Sequence, residues 1–366
     1  MLPFLREHHA DPGRVHQEGH VTRAAVEAAR ERVAELFGAR PRDVVFTASG
    51  TESVNTAVYG AVARARAGSS VVVGRGGGHA VTTAVEHSAV LESIGRDAGD
   101  VTTVGVDHLG RFDPREVLAA IRDDTVLVSV QLANHEVGTM QPAAEVVAGA
   151  RARGVTTHVD ARAAAGHVSV DFRALDADLC SVTGHTFGGP KGAAALLVRR
   201  GLRFPPLILG GAQERARRAG VENVPAIVGF GTAAAELTSG DALATETARA
   251  RALTERLAAG ALAVAGVTRL GDPHDALPHL VCVGIEGVEA EPILLGLDRR
   301  GVAVHSGSSC SSETLEPSPV LAAMGVDADR SLRASVGWSS TDDDVDAFLA
   351  AFPAVVTGLR SLRTEA

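Results

Sequence analysis

Short, almost uninterrupted apolar runs alternate with amphipathic segments along most of the chain. "DVVFT", "SSVVVG", "VTTVGV", "TVLVSVQ", "GVTTHVD", "ADLCSVT" and "AALLVRR" are short and rich in Val, Leu and Thr. Strands read this way when both faces of their sheet are covered. Between them lie segments with helical apolar spacing: "VTRAAVEAARERVAELFG", which stops on Gly38, then "VNTAVYGAVARARA", "DPREVLAAIRDD" and "PAAEVVAGARARG". The alternation predicts an α/β fold with a mainly parallel sheet. After "LTSGD" the rhythm changes. A long Ala- and Arg-rich helix over 242–265 leads into the strand "HLVCVGIEG", the helix "EAEPILLGLDRRG", a serine-rich loop and the helix "TDDDVDAFLAAF". The expected organisation is a large domain over 1–240 and a smaller α+β domain over 241–366.

Composition narrows the classes of partner. Aromatic residues make up only 3% of the chain, so the core has to be built from Ala, Val and Leu. The net charge of −9, with no basic block, argues against nucleic acid or an anionic membrane as a partner. No apolar run reaches the roughly eighteen residues of a membrane span, and "MLPFLREHHADPGR" lacks the apolar stretch of a signal peptide. A cytoplasmic location is expected. Cys180, Cys282 and Cys310 are spaced for neither a disulfide framework nor a zinc knuckle, and no metal site is expected.

Candidate chemistry belongs at the carboxyl ends of the parallel strands. "FTASGTES" reads as strand, small-residue turn and helix start. There the N–H groups around Gly50 and Thr51 are suited to a phosphate, or merely to an N-cap. "THVDA" ends a buried strand on Asp160, a carboxylate that needs a partner. "QLANHEVG" places Asn134 after another strand. "SVTGHTFGGPKG" adds Thr183, His185, Thr186 and Lys191, the chain's sole lysine. Each is more often structural when taken alone. Together at one rim they point to a phosphorylated cofactor with a charged ring nitrogen. Cys310 sits among Ser and Gly in "HSGSSCSSETLEPSP" and is either filler or a nucleophile that must move.

Nearly the whole chain resembles the cysteine desulfurases, class V aminotransferases of the fold type I enzymes that use pyridoxal phosphate. The stretches that carry the likeness are "FTASGTESVN", "VEHSAVLES", "ANHEVGTMQP", "HVDARAAAGHV", "GHTFGGPKGAAALLVRR", "QERARRAGVENVPAIVGFG", "SGSSCSSETLEPSPVLAAMG" and "LRASVGW". The resemblance implies a mainly parallel seven-stranded sheet in a large domain, with a smaller α+β C-terminal domain. It also implies a homodimer whose "RRAGVEN" loop faces the partner. Gly50, Thr51, Thr183 and His185 would hold the cofactor phosphate, His87 would stack on its ring, and Asn134 would contact the hydroxyl side. Asp160 would pair with the ring nitrogen. Arg333, with Asn134 nearby, would take the carboxylate of L-cysteine or a related small amino acid. Cys310 would carry the sulfur away as a persulfide, to a sulfur-acceptor protein.

The departures bear most on function. The family's Schiff-base lysine directly follows the Gly-His of this turn, where this chain has Thr186. A glutamine three residues after the aspartate is here Ala163, and a threonine that reaches the partner's phosphate is Val221. The family's opening strand, with its "AATT" element, is absent ahead of Met1. Lys191 is already accounted for by the "GGPKG" turn, and Pro190 restrains it. Cofactor binding is therefore expected to be weak and non-covalent. Three readings stay open: an impaired desulfurase, a persulfide carrier, and a pseudoenzyme scaffold that partners a true desulfurase.

Overall fold

The computed structural model describes residues 1–68, 78–307 and 318–364. The run "SSVVVG" and Cys310 lie outside the described residues. The chain divides into two compact units. The first comprises Met1–Val104, Asp113–Leu132 and Pro142–Leu243, and the second Gly105–Phe112, Ala133–Gln141 and the part from Ala244 onward.

Among the described residues, seven strands of the first unit form one sheet. They are β1 (Val44–Thr47), β2 (His79–Thr83), β3 (Asp100–Val104), β4 (Thr125–Gln131), β5 (Thr156–Asp160), β6 (Leu179–Thr183) and β7 (Ala194–Val198), in the order β1-β7-β6-β5-β4-β2-β3. β5, β4, β2 and β3 run parallel to β6, and only β7 runs against its neighbours. Every residue of β5, β6 and β7 is buried, polar as well as apolar, as a sheet covered on both faces requires. Gln131 pairs with Asp160 and Asp160 with Ser181, so the ends of β4, β5 and β6 form one rim.

β2 was not anticipated from the sequence. "HAVTT" carries a histidine and threonines where a buried strand usually carries Val or Ile. Its histidine finds partners inside the sheet: the His79 ring bonds Thr125 Oγ1 at 2.7 Å through Nδ1 and Thr102 Oγ1 at 2.8 Å through Nε2. Satisfied in this way, a polar side chain is tolerated at no exposure.

The second unit holds an antiparallel sheet in the order β10-β11-β9-β8, formed by β8 (Val267–Leu270), β9 (Leu280–Ile285), β10 (His305–Ser306) and β11 (Ser331–Ser335). Helices Ala242–Leu262, Ala290–Asp298 and Asp342–Thr364 share one apolar core with it, through residues such as Leu257, Ile293, Leu332 and Phe352. The last helix is long and apolar enough over Asp342–Leu362 to cross a membrane by length and composition alone. Its Val345, Phe348, Phe352 and Val356 are instead buried in that core.

The expected boundary near residue 240 misses two excursions. Residues 105–112 and 133–141 belong to the second unit because their polar groups are satisfied there. The Thr139 hydroxyl donates to Leu109 O at 2.6 Å and accepts from the Asp272 N–H at 3.0 Å, and Thr139 bridges Ala276. Asn134 therefore sits in the second unit.

One buried ion pair ties the ends of the first unit's chain together. Arg30, on helix Gln17–Leu36, donates to both Glu214 oxygens at 2.8 and 2.6 Å and to Val44 O at 2.9 Å, and the Phe46 N–H donates to Glu214 at 2.8 Å. Glu214, Arg215 and Ala216 are held at φ of 46°, 60° and 61°, the left-handed region that non-glycine residues avoid. Glu214→Ala should cost about 3–5 kcal/mol in urea unfolding, because it leaves the buried Arg30 guanidinium with only half-exposed Glu27 and Val44 O, beside a strained turn. A loss below about 1 kcal/mol would show that the pair does not hold this segment.

Candidate functional site

The rim of the first unit's sheet brings together most of the residues singled out from sequence. β5 delivers Asp160, 6% exposed, at its carboxyl end. Behind it, His158 sits between two hydroxyls, Nδ1 at 2.8 Å from Ser129 Oγ and Nε2 at 2.9 Å from Ser181 Oγ. Burial pushes the His158 pKa down to about 4 against the opposing charge of Asp160, with a smaller contribution from Arg162 in the same direction as burial. His158 is therefore neutral at pH 7.

Asp160 is ionised. Burial opposes its charge, but the charge and hydrogen bonds of the Arg162 guanidinium overcome that and hold the carboxyl far below the usual range. Arg162 donates to Asp160 three times: from its backbone N–H to Oδ1 at 3.1 Å, from Nε to Oδ1 at 2.8 Å, and from a terminal N–H to Oδ2 at 2.5 Å. The backbone bond closes a tight turn that sends the guanidinium back onto the carboxylate. Gly50, buried, opens helix Gly50–Gly68, and exposed Thr51 follows it. The stem of Arg162 crosses Gly50 so closely that a Cβ there would stand 2.4 Å from Arg162 Cδ.

His87 is the N-cap of helix Ser88–Asp97, and its Nδ1 accepts from the Ala89 N–H at 2.9 Å. Thr183 ends β6 and its hydroxyl lies 2.6 Å from His185 Nδ1. His185 is exposed, and burial of part of its ring, then Lys191 and Arg162, lower its pKa. Thr186 lies in a single 3-10 turn, His185–Phe187. Its hydroxyl donates to Ala165 O and Thr183 O, each at 3.3 Å. That hydroxyl stitches the turn to the segment after β5. His167, 8% exposed, bonds the Thr186 backbone carbonyl, and burial lowers its pKa to about 4.

The second unit contributes a separate cluster. Fully buried Asn134 folds its own loop, its Oδ1 accepting from the N–H groups of Glu136 and Val137 at 2.9 Å each. Arg333, on β11, donates to His135 O at 2.9 Å, so the two candidate substrate-binding residues stand one residue apart in space. Ser318 donates to buried Glu136 at 2.5 Å. Cys180 and Cys282 are both buried; burial pushes the Cys180 thiol far up and that of Cys282 up to about 12, so neither supplies a thiolate.

This fold and rim define a class of protein: an α/β transferase-type chain of the pyridoxal phosphate fold type I. The Aminotransferase class-V family model matches residues 1–348, and the chain belongs to that family. It is 40% identical to the cysteine desulfurase IscS of Methanosarcina thermophila, over 99% of this chain and 89% of that protein. It is 39% identical to cysteine desulfurase IscS 1 of Archaeoglobus fulgidus, over 99% and 94%. Among solved structures, a NifS-like protein superposes with a TM-score of 0.86 at 30% identity, over 98% of this chain and 94% of that one. SspA in complex with cysteine superposes at 0.78 and 29%, over 91% and 92%.

The family generally uses pyridoxal phosphate. Set against the roles the resemblance implies, the residues here do not fit that group. Both oxygens of Asp160 already accept from Arg162, the Arg162 stem covers Gly50, and residue 186 offers a hydroxyl rather than an amine. Arg162 was overlooked in the sequence, although an arginine two residues after a strand-terminal aspartate is a legible sign of a turn closed by a fork-shaped pair. His158 and His167 carried no signal beyond their type.

Proposed function

We propose that this chain is a sulfur-transfer protein of the cysteine desulfurase type whose cofactor site is degenerate, so that L-cysteine is turned over poorly. The observation that carries this reading is Thr186, whose hydroxyl is spent on two backbone carbonyls at the place where the resemblance expects the anchoring lysine. Cofactor bound here is held weakly and without a covalent link. Lys191, the one lysine, is exposed beyond that turn.

What persists is consistent with handling sulfur. The Cys310 thiolate attacks the outer sulfur of a donor persulfide, the donor's S–S bond breaks, and the donor leaves as its thiolate. Cys310 is left as a persulfide for an acceptor protein. This exchange is redox-neutral and needs no cofactor. The sealed carboxylate at Asp160 favours such a carrier over a fast desulfurase. A homodimer in the cytoplasm is the expected setting.

The test is intact-mass spectrometry after alkylation, with glutathione persulfide or L-cysteine as donor. One sulfur atom is expected on the parent from the persulfide, without added pyridoxal phosphate, and none on Cys310→Ala. Equal loading of Cys310→Ala, or faster loading from L-cysteine than from the persulfide, would overturn the reading.

A further inference from the structure

The pair Asp160–Arg162 does more than neutralise a buried charge. Its side chains are only 6% and 12% exposed, and the guanidinium reaches the carboxylate through two parallel bonds. The same side chain lies along Gly50, the first residue of helix Gly50–Gly68. One residue thus spans from the end of β5 to the start of that helix, over the ground that a ring-and-phosphate ligand would have to cover.

We infer that Arg162 is a built-in counterion that takes the place of a ligand's protonated ring nitrogen on Asp160, and so shuts this rim to pyridoxal-type ligands. The inference deepens the degenerate-site reading and rests on it for the identity of the rim. It adds a residue that no departure from the family motif had marked, and it makes Arg162 a specificity determinant.

Three physical points support it. A guanidinium does not deprotonate in proteins, so no pH at which the protein is folded vacates the carboxylate. Arg162 is tethered two residues from its partner, so it competes at an effective concentration far above that of a free ligand. A ligand that displaced it would have to move a long side chain out of a buried fork and off Gly50, leaving the guanidinium to find another partner. Gly50 fits the same account. Its lack of a side chain is used here by the Arg162 stem, with no need for a phosphate.

The probe is pyridoxamine phosphate, whose amine is already in place, so its binding is independent of any lysine. Equilibrium dialysis compares the parent, Arg162→Ala, Arg162→Lys, and Arg162→Ala combined with Asp160→Asn. Binding by Arg162→Ala should be tighter than by the parent by on the order of 100-fold. Arg162→Lys keeps the charge but loses the fork, and should gain about 10-fold. The gain in Arg162→Ala should vanish when Asp160 becomes Asn, because the ring nitrogen loses its counterion. Near-ultraviolet circular dichroism checks each fold, and if Arg162→Ala unfolds, the lysine variant decides the question. Equal binding by the parent and the folded Arg162 variants, or a gain that survives Asp160→Asn, would sink the inference. Failure of the degenerate-site reading shows elsewhere, as brisk sulfide release by the parent.

Discussion

Sulfide release from L-cysteine, with a reductant and excess pyridoxal phosphate, is expected to stay near the protein-free background for the parent chain. Thr186→Lys alone should raise it by less than about ten-fold, because an amine at 186 leaves Asp160 engaged by Arg162. Combining Thr186→Lys with Arg162→Ala, Ala163→Gln and Val221→Thr should raise it by about a thousand-fold over the parent, the scale on which positioned acid–base groups act. The reasons differ by position. Residue 186 lacks a group that moves protons, Arg162 blocks the carboxylate, Ala163 has no polar group to offer, and Val221 is exposed without a hydroxyl. Cys310→Ala should return every background to the protein-free rate. A parent already as fast as the combined variant would mean that another base works in this site. A combined variant that holds the cofactor yet stays inert would leave the carrier role standing alone.

That series mixes residues found by two routes, and the difference has a physical cause. Thr186, Asp160 and Thr183 were legible because short parallel strands end at a rim, and strand ends are fixed by continuous apolar runs such as "ADLCSV". Arg162 stood in a quoted stretch and still escaped. An arginine has enough rotatable bonds to leave the surface or cover a glycine, and only the fold places Gly50 beneath its stem. β2 escaped for the opposite reason: its His79 bonds Thr125 and Thr102 on the two neighbouring strands, which no one-dimensional pattern encodes. The excursions at 105–112 and 133–141 are short loops with no periodicity, yet they carry Asn134 into the second unit. The Arg30–Glu214 pair joins residues 184 apart along the chain, and sequence spacing is silent about such a closure.

Acid should unfold this protein early, and two buried histidines set the window. His158 and His167 have folded pKa values of about 4, both lowered chiefly by burial, against about 6.5 in an unfolded chain. Between those values the unfolded state binds protons that the folded state refuses. The stabilisation is complete above about pH 6.5 and is lost as the pH falls towards 4, by about 3 kcal/mol for each histidine. His79, lowered by burial and then by Arg122, acts in the same direction. Asp160 acts lower down: its pKa is depressed, so its contribution is intact above about pH 4 and is lost only in stronger acid. Urea unfolding at pH 7, 5.5 and 4 should therefore show a fall of about 6 kcal/mol, more than half of a typical domain's stability. His158→Gln removes one titrating group and keeps side-chain hydrogen bonding to Ser129 or Ser181 within reach, so it should roughly halve the fall while lowering stability at pH 7. A flat profile down to pH 4 would mean that these imidazoles take up protons in the folded state. The buried rim behind Asp160 would then be open to water.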